Sequence, residues 1–193
     1  MMSSAIHLSI VLLIMASMIC CVAKNITFGC VPRERKALLK FKASLLDHSN
    51  RLSSWKQNKD CCTWQGVKCS KVMGHVIGLD LRNRNTLFDI DNMSQYGNKR
   101  FDYMLQGKKI DSSLLELKYP SYLDLSWNDF QRSKIPTFFG SMKHLQHLNL
   151  STANFVGVVP HQLGNLSSLR VLDLVVREAR LSMTSCGLLI FHC

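Results

Sequence analysis

Thiols, imidazoles and glycosylatable asparagines are the groups in this chain with the most chemistry to offer. Eight cysteines stand at 20, 21, 30, 61, 62, 69, 186 and 193. Thiolates bind metals from paired C-x-x-C spacings, which Cys61-Cys62 and Cys69 do not supply, so disulfide formation is the expected chemistry and no metal site is assigned. Adjacent cysteines do not readily bridge each other. The economical pairing joins Cys30 to Cys61 and Cys62 to Cys69, although four cysteines formally allow three pairings. His144 and His147 share a short H-x-x-H spacing, but no third ligand accompanies them. The chain has no G-x-S-x-G, no phosphate-binding glycine loop and no H-E-x-x-H, so it is read as a non-enzyme without cofactors.

The remaining chemistry points to an oxidising, extracellular compartment. Met1 to Ala23 contains no charged side chain, and its apolar core from Leu8 to Met18 leads to Cys20-Cys21-Val22-Ala23. That is the pattern of a secretory signal, with cleavage expected after Ala23. Cleavage would remove Cys20 and Cys21 and leave no apolar run long enough to span a bilayer. Four N-x-Ser/Thr sequons, at Asn25, Asn92, Asn149 and Asn165, agree with secretion and mark candidate glycosylation sites.

These groups need a scaffold, and the sequence shows two kinds of element. From Arg33 to Leu46 the residues Leu38, Phe41 and Leu45, with Leu39 and Leu46 beside them, repeat at helical spacing. Pro32 and Glu34 mark the start of that helix, and its end is expected near Asp47 to Asn50. From Val76 onward the pattern becomes short extended strings: HVIGLDL, SYLDLSWNDF, QHLNLSTANF and RVLDL. Leu123 and Leu148 are 25 residues apart, Leu148 and Leu172 are 24 apart, and Pro136 to Pro160 and Gly140 to Gly164 repeat the 24-residue step. A constant period of this size is the mark of a solenoid whose units stack to bury an apolar edge.

Composition limits what the solenoid can do. At 193 residues there is no room for a binding region plus a kinase-sized domain. The 24 Lys+Arg against 13 Asp+Glu give a net charge of +11. The basic residues are scattered from Lys24 to Arg180, and secretion argues against nucleic acid. An anionic cell-wall polysaccharide is the electrostatic partner that suits this charge.

The unit Leu148-x-Leu150-Ser151-x-x-x-Phe155-x-Gly157-x-Val159-Pro160-x-x-Leu163-Gly164-x-Leu166 resembles the plant-type extracellular leucine-rich repeat. Upstream, Cys30, the ERKALLxFK helix, Leu52-Ser53-Ser54-Trp55 and CCTWQGVKC resemble the N-terminal cap that precedes such repeats in plant receptor-like proteins. The resemblance implies an α/β solenoid, a leucine-rich-repeat stack with a parallel β-sheet on the concave face and a disulfide-bonded helical N-terminal cap. It implies the Cys30–Cys61 and Cys62–Cys69 pairing. The domains follow as a signal at 1–23, the cap at 24–75, about three and a half repeats at 76–174 with a polar insertion near 82–104, and a non-repeat tail at 175–193. In such repeats the residues alternating with the leucines face the ligand, which nominates Asp80, Tyr122, Asp124, Trp127, His147, Asn149, Thr152 and Asp173.

Departures from the repeat include Arg132 in place of a glycine, Pro120 in place of a leucine, and Ala153 where Asn128 stands one repeat earlier. The pattern stops after Leu174, and Cys186 and Cys193 in the tail have no assigned partner. By resemblance the chain is a secreted, apoplastic binding module for defence or signalling recognition. It would take a protein or peptide ligand, with a co-receptor as a further partner, and full-length relatives would sit at the plasma membrane. The competing readings are an inhibitor of a secreted cell-wall-degrading enzyme, similar to polygalacturonase-inhibiting proteins, and a non-functional truncated fragment.

Overall fold

The computed structural model describes residues 29–84 and 103–174. The expected signal, the sequons at Asn25 and Asn92, and the tail with Cys186 and Cys193 lie outside the described residues. So does most of the 82–104 insertion.

The first element is helix α1, Pro32–Ala43, with Pro32 in its first turn. It is shorter than its apolar pattern suggests. Ser44 ends it, its backbone N–H and its hydroxyl donating to the Phe41 carbonyl at 3.0 and 2.6 Å. Beyond it, Leu46 leaves the helical path because its backbone exchanges two hydrogen bonds with Gln106, at 2.7 and 3.0 Å. Leu46 is consequently 54% exposed, whereas Leu38 and Phe41 are fully buried. The buried stripe is therefore narrower than the run of leucines.

Five strands follow: β1 (Val67–Cys69), β2 (Val76–Asp80), β3 (Tyr122–Asp124), β4 (His147–Asn149) and β5 (Val171–Asp173). They form one sheet in chain order, with β1 antiparallel to β2 and every later pair parallel. The register places Leu79, Leu123, Leu148 and Leu172 in one row. Successive side chains in a strand point to opposite faces, so Leu79, Leu123 and Leu148 are at most 1% exposed while their neighbours stand on the other face. Each strand is short because the chain turns immediately after its second leucine.

The return path of each repeat runs through a short 3-10 turn: Ser112–Glu116, Thr137–Ser141 and His161–Asn165. These turns pack closely, and a Cβ at Gly140 would collide with the backbone of Gln162. Phe130 and Phe155 stack at 5.0 Å between adjacent repeats. In the cap, Trp55 and Trp64 stack at 5.2 Å, and disulfides join Cys30 to Cys61 and Cys62 to Cys69. Asn128 holds the turn of its repeat. Its Nδ2 donates to the carbonyls of Leu81, Leu125 and Ser126, and its Oδ1 accepts from Leu105 N–H. Arg132 takes a left-handed φ of 59°, the region that Gly157 occupies one repeat later at 87°.

Both ends of the insertion belong to the stack. The Asn83 N–H donates to Ser126 O at 3.1 Å, and Met104 and Leu105 are buried.

Candidate functional site: the sheet face

The exposed face of the sheet carries two rows set by the strand register. One row runs Gly78, Tyr122, His147, Val171; the other runs Asp80, Asp124, Asn149, Asp173. Tyr122 and His147 stack with ring centroids 4.4 Å apart and planes 9° from parallel. They stand directly opposite each other on adjacent parallel strands, close enough for ring contact.

Beside the rings lies an ion-pair network built around a residue that sequence reasoning left in the insertion. Arg82 grips Asp80 through two hydrogen bonds, Nε to Oδ1 at 2.8 Å and Nη2 to Oδ2 at 2.9 Å. Its Nη2 also donates to the Tyr122 hydroxyl at 2.6 Å, and Arg84 donates to Asp80 Oδ2 at 2.8 Å. The Tyr122 hydroxyl in turn donates to Asp124 Oδ2 at 3.2 Å. Burial pushes the Asp80 carboxyl upward, but hydrogen bonds from Arg82 and Arg84 outweigh it and hold Asp80 below the ordinary carboxylate range. Burial and the Asp124 charge push the Tyr122 phenol up to about 12. The Asp80 hydrogen bonds hold Arg82 as a permanent cation.

Two nominated residues are not available as free ligand groups. Asp124 is 1% exposed; its Oδ1 accepts from Ser126 N–H at 3.0 Å and the Ser126 hydroxyl at 2.7 Å, which spends it on the turn after β3. Asn149 repeats that arrangement with Ser151, at 3.0 and 2.7 Å, while its Nδ2 donates to Asp124 Oδ2 at 3.3 Å. The side-chain nitrogen of the Asn149 sequon is thus tied into the sheet, whereas Asn165 is exposed. Trp127 and Thr152 lie in the turns after the strands, at equivalent positions with φ of 58° and 52°, and both are half-buried. Asp173 is half-buried on β5, its carbonyl accepting from Leu150 N–H at 2.9 Å.

Two further polar centres escaped sequence reasoning because their partners are remote. Glu34 is 1% exposed and accepts from Val76 N–H at 2.7 Å and Lys118 N–H at 2.9 Å, with His75 Nδ1 at 2.9 Å. Its pattern position in the first turn suggested only a charge for the helix dipole. Arg51, whose guanidinium is lowered by burial, donates to the carbonyls of Leu81, Arg82 and Tyr103 and to Asn128 Oδ1 at 2.8–3.0 Å. It bridges both ends of the insertion from the cap. His144 is drawn to Tyr119, 5.1 Å away, and His147 to Tyr122, so the H-x-x-H pair does not converge. Cys30, Cys61, Cys62 and Asp60 lie close together, but all three sulfurs are already in disulfides.

A family model described as the leucine rich repeat N-terminal domain matches residues 31–70. Receptor-like protein EIX1 of Solanum lycopersicum is 47% identical over 148 residues, covering 75% of this chain and 14% of that protein. Receptor-like protein EIX2 of the same species is 48% identical over 133 residues, covering 69% and 12%. The chain belongs with the plant leucine-rich-repeat receptor-like proteins. Its fold matches the solved BIR2 ectodomain of Arabidopsis thaliana with a TM-score of 0.60 and 28% identity, over 76% of this chain and 68% of that one. A chain of the BIR3–SERK2 complex from the same plant matches at 0.58 and 27%, over 74% and 68%. The chain spans about one seventh to one eighth of the length of these two tomato relatives. Ectodomains of this kind are generally non-catalytic, and no helix among the described residues is long and apolar enough to cross a membrane.

Proposed function

We propose that this receptor-like chain is an extracellular, non-catalytic recognition module that binds a protein or peptide on the concave sheet in defence or signalling. The observation carrying this reading is the stacked Tyr122–His147 pair beside the Arg82–Asp80 ion pair. Aromatic rings and a clamped arginine on a rigid surface are the groups that most often dominate binding energy. They lose little conformational freedom on binding, because ring stacking and the carboxylate grip already hold them. The BIR3–SERK2 complex, one chain of which shares this fold, is an assembly of two proteins and supports a protein partner. Secretion to the apoplast follows from the expected signal and sequons.

Selection of a displayed random-peptide library against the full chain, followed by titration of the enriched peptides, tests the reading. Tyr122→Ala/His147→Ala should weaken the enriched peptides at least about tenfold. Peptides that bind the double variant as tightly as the wild type would show that recognition lies elsewhere.

A further inference from the structure

A second surface off the sheet has binding chemistry of its own. Lys109-Ile110-Asp111, Lys134-Ile135-Pro136 and Val158-Val159-Pro160 hold equivalent places in successive repeats, 25 and 24 residues apart. Between the first two lies a groove of about 390 Å³ lined by residues 109–112 and 133–138, none of them in a strand. Ile110 and Ile135, each 3% exposed, lie at its base, and the half-buried Phe138 is part of its lining. Ser112 and Thr137 bring exposed hydroxyls to it, whereas Ser133 Oγ is buried with no hydrogen-bond partner.

Lys109 and Lys134 are exposed at the groove. Neither makes an ion pair or hydrogen bond with another described residue. Asp111, the acid in the lining, is held below the ordinary carboxylate range by hydrogen bonds from Ser113 and by the charges of Lys40 and Lys109. Its Oδ1 accepts from Ser113 N–H at 2.8 Å and lies 3.8 Å from Lys40 Nζ. Two lysines at equivalent places of successive repeats add positive potential at the groove, which favours an anion there.

We propose that this groove binds an acidic polysaccharide, a polyuronide whose carboxylates pair with Lys109 and Lys134 while sugar hydroxyls meet Ser112 and Thr137. A sugar ring lies against Phe138. The lining favours a saccharide over an acidic peptide. A peptide in a groove satisfies its backbone by joining a sheet edge or by folding as a helix on a broad apolar face. This groove has no strand, and the Ser133 backbone is already spent, its N–H on Phe130 O and its carbonyl on Val156 N–H. The site is separate from the concave sheet, so it stands or falls independently of peptide recognition there.

Affinity of the full chain for short oligogalacturonates, with salt-dependent retention on immobilised polygalacturonate, tests the proposal. Wild type should bind, and full methyl esterification of the polymer should abolish binding. Lys109→Gln/Lys134→Gln should weaken binding about five- to tenfold, the loss expected for two exposed ion pairs. Lys56→Gln/Lys59→Gln removes the same charge from exposed sites in the cap and should change affinity less than about twofold. All four lysines are exposed, so each variant should melt at the wild-type temperature. Equal losses in the two double variants would reduce the effect to diffuse charge and overturn the proposal. Displacement by polyglutamate as effective as by oligogalacturonate would overturn it as well.

Discussion

At the scale of single residues, long-range hydrogen bonding decides which charges are free and which are structural. Arg82 holds the Asp80 carboxyl below its usual range. A carboxyl depressed in the folded state adds stability that is present above its unfolded value, near 4, and is lost as the pH falls below it. Arg82→Gln should therefore move the acid limb of a melting-temperature profile to higher pH. An unchanged limb would mean that Asp80 is not coupled to Arg82. Arg51 provides a second prediction, because it satisfies three carbonyls and Asn128 Oδ1 with one guanidinium. Arg51→Met would fill similar space but leave these acceptors without that donor, at a cost on the order of 3 kcal/mol in urea unfolding.

At the scale of elements, the cap differs from the repeats in how it is held. Each repeat buries its leucines against its neighbours, and each fully buried leucine contributes about 1.5–3 kcal/mol. Among its described residues the cap has one α-helix and one strand, and it relies on covalent ties as well. The Cys30–Cys61 bond closes a separation of 31 residues and the Cys62–Cys69 bond one of 7. Loop-closure entropy then assigns roughly 3.7 kcal/mol to the first and roughly 2.4 kcal/mol to the second. Cys30→Ala/Cys61→Ala should accordingly lower the unfolding free energy about one and a half times as much as Cys62→Ala/Cys69→Ala. Urea titration of the two variants measures the ratio, and a reversed order would place the main constraint in the short loop around Trp64.

At the scale of the whole molecule, the solenoid separates two surfaces. The sheet face presents the Tyr122–His147 rings and the Arg82 network, while the groove at Lys109 and Lys134 opens where the chain enters its 3-10 turns. Changes at sites without shared partners add independently. Tyr122→Ala/His147→Ala should therefore leave polygalacturonate retention at the wild-type level, and Lys109→Gln/Lys134→Gln should leave peptide binding at the wild-type level. Loss of both activities in either variant would indicate a single shared surface.

Much of this architecture is legible in the chain itself. Period and leucine spacing determine the stack, because a unit with one short strand has nowhere to bury its apolar edge except against its neighbours. The alternation of Leu148, Asn149 and Leu150 determines which face each side chain takes. Tertiary structure alone decides which polar residues are spent. Asp80, Asp124 and Asn149 fill the same sequence slot, yet Asp124 is buried in a serine-capped turn while Asp80 is clamped by an arginine two residues on. Glu34 and Arg51 look like ordinary surface charges in a linear reading. Their partners lie 30 to 84 residues away, and only the closed stack brings those backbone groups within reach.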